Sequence, residues 1–185
     1  MNKKLLFLPV LLLGILFTAC SDDDNVDDVV DRIRTIDDIP VSANASIDYL
    51  PINPLEIPIE TDVNLRDALE DKTGTDETID QVEDIELDDL SIELVSADEQ
   101  ENFDFVNSVT LGVRTDDLEY KEIAHLDEVP EGQTSIELET TEDYVDEYAK
   151  SESLKLVVKF ESTDDANNLE VKLNMEFDAK LDPSL

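Results

Sequence analysis

Much of the chain alternates between apolar and polar residues with a period of two, the pattern of β-strands that bury one face. The clearest run is Leu169–Leu181, where every second residue is apolar and every residue between is polar. Val41–Tyr49 and Leu154–Phe160 follow the same rule. The run Leu169–Leu181 is polar along one whole face, so a parallel sheet covered by helices on both sides is not expected.

Further strands are predicted between these runs. They are Leu55–Thr61, Val82–Val95, Val109–Val113, Tyr120–Leu126 and Ser135–Thr140. In Val82–Val95 the alternation changes phase across Asp88 and Asp89, which predicts a bulge or a bend. Pro58 lies within Leu55–Thr61, and proline cannot donate a hydrogen bond to a neighbouring strand. We therefore expect an edge strand or an extended crossing segment there.

Two segments have helical spacing instead. Asn64–Lys72 begins with a residue that can cap a helix, and its apolar residues lie on one face. In Glu142–Lys150 the apolar residues recur at helical spacing, which predicts one or two helical turns. Ser162–Asn168 is rich in turn residues and predicts a hairpin loop between the last two strands.

About seven or eight strands at regular spacing, with one or two short helices, predict an all-β fold, an antiparallel β-sandwich. A small β-barrel is the alternative architecture. The strand layout resembles the immunoglobulin-like sandwich of late embryogenesis abundant proteins. It is also similar to that of small Bacteroidota lipoproteins.

The first twenty residues have a different character. Lys3 and Lys4 precede the apolar run Leu5–Phe17, which is too short to span a bilayer comfortably and fits the middle of a secretory signal. Leu16–Cys20 then resembles the lipobox of bacterial lipoproteins. The resemblance implies a signal peptide over 1–19 and acylation of Cys20, whose several chains would give a stable membrane anchor. A free thiol after an ordinary cleaved signal is the other interpretation.

The lipidation site is followed directly by an acidic run. It consists of Ser21, Asp22, Asp23 and Asp24. The run is similar to the export signal that Bacteroidota use to send lipoproteins to the outer face of the outer membrane. A solvated acidic tether is the other interpretation, and both can hold. We expect a tether over 20–31, a sandwich domain over 32–185, and residence at the outer membrane with the domain exposed on the cell surface.

The charge of the chain is strongly negative. It has 49 acidic and 13 basic residues, a net charge of −36, and loss of Lys3 and Lys4 with the signal would leave −38. The negative electrostatic field of such a chain repels nucleic acid and favours a soluble monomer. The sequence also predicts no basic patch and no glycine-rich phosphate loop. The absence of tryptophan argues against a carbohydrate-binding platform.

Few residues point to catalysis. His125 is the sole histidine and Cys20 the sole cysteine, so zinc or copper sites, cysteine nucleophiles and histidine triads are not expected. We interpret His125 as a half-exposed strand residue. With 49 acidic residues, a pair of neighbouring carboxylates carries no information about glycoside hydrolysis. The sequence therefore predicts a protein that is not an enzyme.

Calcium is the one candidate cofactor, because it takes oxygen ligands from loops. The loop before the last strand offers Asp164, Asp165, Asn167 and Asn168 as ligands. A second loop, Thr73–Asp80, offers Asp76, Glu77 and Asp80. Neither loop matches the twelve-residue calcium-binding pattern, and a solvated turn is the alternative for each.

The function predicted from the sequence is that of a lipid-anchored, non-enzymatic cell-envelope protein with a structural or binding role at the outer membrane. Its partners would be the membrane, through the lipid on Cys20, and an envelope protein. A calcium-dependent binding or adhesion module is the first alternative and a hydrolase the second.

Overall fold

Nine strands and two short helices form the described part of the chain, which in the computed structural model comprises residues 35–52, 55–60, 65–73 and 81–181. The predicted signal peptide, Cys20, the export run Ser21–Asp24 and the tether lie outside these residues. Asp76, Glu77 and Asp80 of the second candidate calcium loop lie outside them as well.

Strands and helices alternate irregularly along the chain. In order, the elements are β1 (Thr35–Leu50), β2 (Leu55–Glu60), α1 (Leu65–Thr73), β3 (Val82–Asp98), β4 (Val106–Arg114), β5 (Lys121–Leu126), β6 (Ser135–Glu137), β7 (Glu139–Thr140), α2 (Asp146–Ala149), β8 (Lys155–Ser162) and β9 (Ala166–Leu181).

The strands form two antiparallel sheets that share one core. Sheet one has the order β1-β9-β3-β6 and sheet two the order β2-β8-β4-β5-β7. The predicted all-β antiparallel sandwich is confirmed, with nine described strands instead of seven or eight. In the described residues the two sheets remain separate and do not close into the alternative barrel.

The core of sheet one is centred on β9, which pairs with β1 on one side and β3 on the other. Every apolar position of the alternating run from Leu169 to Ala179 is at most 5% exposed. Each fully buried aliphatic or aromatic side chain contributes about 1.5–3 kcal/mol to folding. The alternation therefore predicted correctly which face of β9 enters the core.

The predicted bulge in β3 is confirmed. Its register against β9 shifts between Leu87 and Asp89, where the apolar phase changes in the sequence. Leu87 before the shift and Leu90 after it are both buried. The extra residue turns the strand so that both apolar sets face the core.

The predicted hairpin between the last two strands is wrong. β8 pairs with β2 and β4 in sheet two, whereas β9 lies in sheet one, so residues 163–165 cross from one sheet to the other. The predicted strand Ser135–Thr140 also divides, because β6 joins sheet one and β7 joins sheet two. Alternation shows that one face is buried, but it does not show which sheet a strand joins.

The two helices cover one end of the sandwich. α1 buries Leu65 and Leu69 as predicted, while α2 is a single turn that follows the buried Val145. Residues from both sheets and both helices enclose a small, almost wholly apolar cavity of about 20 Å³. That volume is comparable with the space occupied by one water molecule.

Both sheets have an edge strand near the start of the chain. β2 pairs only with β8 among the described strands, which confirms the edge position predicted from Pro58. β1 likewise pairs only with β9 among them, although its sequence contains just one proline, Pro40.

Candidate functional site

The candidate site lies at the end of the sandwich where β1 finishes. β1 has 16 residues, so its two ends are roughly 50 Å apart at about 3.3 Å per residue. Pairing brings the crossover between β8 and β9, and the end of β3, to this same place. We call this end the tip. It comprises Tyr49, Ile52, Asp98, Asp165 and Asn168.

Asp165 holds the tip together. Its carboxylate Oδ1 accepts a hydrogen bond from the backbone N–H of Ile52 at 2.9 Å. Its backbone carbonyl accepts a bond from Gln100 Nε2 at 3.3 Å. The carboxylate also raises the pKa of the Tyr49 phenol, first by hydrogen bonding to its neutral form and then, with partial desolvation, by its negative charge. Through its side chain and its backbone, Asp165 thus connects the crossover to the end of β1 and to the segment after β3.

A second contact fixes the same loop. The Ser162 hydroxyl, which is buried, donates to the carbonyl of Pro51 at 2.7 Å. Pro51 is therefore held by the last residue of β8 and Ile52 by Asp165 in the crossover that follows. Such contacts restrict the backbone and reduce the entropy that the loop would lose on binding a partner.

Two apolar side chains project from this fixed backbone. Tyr49 is 51% exposed and Ile52 is 50% exposed. Val95 and Tyr144 are the other large apolar side chains that are exposed among the residues whose burial the structure describes. Aromatic side chains such as that of Tyr49 are enriched where proteins contact each other.

The predicted calcium ligands occupy this tip, and three of them make hydrogen bonds within the protein. Asp164 accepts from the N–H of Asp165 at 2.9 Å, and Asn168 donates to Asp98 Oδ2 at 2.6 Å. Asn167 is exposed and pairs with Tyr49 in β1. Among the described residues no group of three or more His, Cys, Asp or Glu side chains could hold a metal ion. Calcium binding stays a prediction.

Asn168 occupies a special backbone position. Its φ of 49° is in the left-handed region, which asparagine enters at lower cost than most residues. The register of β9 against β3 shifts here, between Ser96 and Asp98. The resulting bulge places the Asn168 amide next to the Asp98 carboxylate, a juxtaposition that the loop composition alone does not show.

His125 lies on β5, away from the tip. Its Nδ1 is 3.5 Å from Glu122 Oε1, and its side chain is 36% exposed. It pairs with Thr110 and Glu139 on the neighbouring strands. The interpretation of His125 as a half-exposed strand residue is confirmed.

Strand pairing gathers several cations that are distant in sequence, although it does not form a purely basic patch. Arg114 lies directly opposite Lys155 on the outer face of sheet two, and Lys159 follows on the same face. The ammonium of Lys159 lies 3.6 Å from the centre of the Tyr120 ring, a cation–π contact. The register also places acidic residues of β5 and β8 on this face, so it is mixed in charge.

The Tyr120 ring packs on the backbone of Gly112. A side-chain carbon at Gly112 would collide with the ring and with the carbonyl oxygen of Lys121. Val157 lies opposite Gly112 on β8. Its neighbours Leu156 and Val158 face the core, so the side chain of Val157 lies on the outer face of the sheet, but it is only 1% exposed. The ring therefore forms a small apolar layer outside sheet two, and a glycine in β4 is required for it.

An acidic cluster lies at the opposite end of sheet one from the tip. Burial first, and then the charge of Asp178, raises the pKa of Glu86. The charge of Asp178, followed by burial, raises the pKa of Asp88. Asp178 also accepts a hydrogen bond from the N–H of Asp38 at 2.9 Å. These carboxylates repel one another in the folded state.

Comparison of the chain with models of protein families, with curated proteins and with solved structures gave no match. In the part of the chain that the structure describes, the helices are all too short or too polar to cross a bilayer.

Proposed function

We propose that this chain is a lipid-anchored, non-enzymatic protein of the bacterial outer membrane, exposed on the cell surface, and that it binds an envelope partner through the tip. The observation that carries the proposal is the motif Leu16–Cys20 at the end of the apolar run Leu5–Phe17. Acylation of Cys20 would supply the anchor.

The arrangement of the sandwich supports a binding role for the tip. Only fourteen residues separate Cys20 from Thr35, where β1 begins, and they can span at most about 50 Å. β1 then runs away from this start and ends at the tip. The tip, where Tyr49 and Ile52 are exposed, is thus at the end of β1 that lies farther from Cys20 in the sequence.

The anchor is tested by the Cys20→Ser variant. We expect the wild-type chain to sediment with the outer membrane and to incorporate labelled fatty acid, and the variant to do neither. Digestion of intact cells with protease tests surface exposure, because a surface domain is degraded before the outer membrane is broken. A variant that sediments as the wild type does would contradict the anchor.

The tip is tested by photo-cross-linking in living cells. A photoreactive residue in place of Ile52 should form a discrete cross-linked product. The same residue in place of Tyr144, which is 50% exposed near the other end of the sandwich, is the matched control. Equal products from both positions, or none from Ile52, would contradict binding at the tip.

A calcium-dependent adhesion module is the second candidate. It rests on the oxygen-bearing side chains of the crossover and the start of β9, Asp164, Asp165, Asn167 and Asn168, and on Asp98, which accepts a hydrogen bond from Asn168. Millimolar calcium should then raise the melting temperature by several degrees, and magnesium should not. Equal melting curves with calcium and with EDTA would exclude it.

A further inference from the structure

The edge of β1 has the composition of a central strand. Ile39–Ile47 is a run of nine residues without a charge, in a chain of which 34% is charged. Among the described strands only β4 has a comparable run, Val106–Val113. β4 lies between β8 and β5 and is paired on both sides, whereas β1 is paired on one side only in the described residues.

Edge strands usually carry features that prevent further pairing, such as charges, prolines and bulges. β1 has these features only at its beginning. Its register shifts between Ile36 and Ile39, and Asp38 has a φ of 55°. Lys72 of α1 donates to the Asp38 carbonyl at 3.0 Å. From Val41 to Ile47 the strand is regular and carries none of them.

The side chains along this stretch are small and suit close approach of a second strand. Ser42, Asn44 and Ser46 point outward and are exposed, and the residues between them are buried in the core. Half of the backbone N–H and C=O groups of an edge strand point away from its single neighbour. The exposed edge therefore offers hydrogen bonds without a charged side chain to desolvate.

We propose that β1 pairs antiparallel with β1 of a second copy of this chain, about a two-fold axis at Asn44. This register keeps core-facing residues opposite core-facing residues. It places Asn44 opposite Asn44, Ser42 opposite Ser46, and the one acid of the regular stretch, Asp48, opposite Pro40. A register centred one residue earlier places Asp38 opposite Asp48, and like charges directly opposite each other are unfavourable.

The partner is a second copy of this chain because the uncharged edge of β1 is complementary to itself, and a symmetric interface must fit its own surface. The net charge of −36 opposes the pairing at long range, which is why the sequence alone predicts a monomer. Salt screens that repulsion over about 10 Å at 0.1 M. The dimer should therefore strengthen as salt is added, the opposite of an interface built on ion pairs.

The test uses the full chain in a mild non-ionic detergent and measures its mass by sedimentation over a range of concentrations. The Asn44→Lys variant places two ammonium groups on the axis and should raise the dissociation constant at least about tenfold. Asn174→Lys is the matched control, since Asn174 is one strand inward beside Ser42. It should change the constant by no more than about twofold.

Disulfide cross-linking tests the register. In the Cys20→Ser background, Asn44→Cys should form an oxidised dimer, because directly opposed Cβ atoms lie about 4.5–5.5 Å apart. Lys172→Cys, in the same row on β9, should not. A chain that stays monomeric at all salt and protein concentrations overturns the proposal. Loss of the dimer on adding salt, or equal effects of Asn44→Lys and Asn174→Lys, also overturns it.

Discussion

Replacing Gly112 by alanine is expected to destabilise the domain, and the size of the effect can be worked out from its surroundings. The new methyl group would collide with the Tyr120 ring and with a backbone oxygen of Lys121. Adding atoms to a packed position costs typically about 1–3 kcal/mol. For a domain of this size, about 2 kcal/mol corresponds to a melting temperature lower by about 4–8 °C.

A double-mutant cycle with Tyr120→Ala separates the ring from the backbone. Tyr120→Ala alone exposes Val157 and removes the contact with Lys159. In its background, Gly112→Ala should cost at least about 1 kcal/mol less than in the wild type, because contacting residues couple by about 0.5–3 kcal/mol. The remaining cost reflects the Lys121 carbonyl oxygen.

Urea unfolding followed by circular dichroism gives the free energy of unfolding for the four proteins of the cycle. Gly132→Ala is the control. Gly132 has a φ of 74° and no neighbour within 4 Å of an added carbon, so its cost is conformational and should not depend on Tyr120. Additive effects of Gly112→Ala and Tyr120→Ala would refute the proposed packing on Gly112.

Three further predictions concern charge. Glu86 and Asp88 have a raised pKa in the folded state, so the folded chain binds their protons more tightly and gains stability as the pH falls through that pKa. Asp178→Asn should raise the melting temperature at pH 7, and this gain should shrink as the pH falls through the raised pKa values of Glu86 and Asp88, because their protonation removes the repulsion by Asp178. Asp165→Asn should lower the Tyr49 pKa towards about 10, measured by ultraviolet titration against Tyr49→Phe. Raising sodium chloride from about 10 mM to 0.5 M should raise the melting temperature of the wild type, because screening weakens the repulsion of a net charge of −36.

Local pattern was sufficient to predict most strands of this fold. The alternation of β9 identified its buried face because one face of the strand meets the core and the other meets solvent. The phase change at Asp88 identified the bulge for the same reason. A helix of two turns was visible from the capping residue and spacing of α1.

The assembly of the strands could not be predicted in this way. Both β8 and β9 bury one face, and nothing in their alternation assigns them to different sheets. The tip joins Tyr49 to Asp165, which are distant in the chain and meet only when β1 pairs with β9. The apolar layer over Gly112 could not be predicted from the sequence, because Val157 and Tyr120 lie on a face that the alternation assigns to solvent.

The position of β9 has a consequence for how the chain reaches its native state. β1 and β3 do not pair with each other, because β9 lies between them and pairs with both. The pairing of β1 with β9 joins residues that are far apart in the chain: Ser42 and its partner Asn174 are separated by 132 residues. Contacts at such separation form slowly, since loop closure precedes any gain from pairing. A nascent polypeptide lacking its final strand has no centre for sheet one, so that β1 has no partner and β3 keeps only β6 among the described strands. Premature termination before Ala166 would remove the middle of that sheet and not its margin.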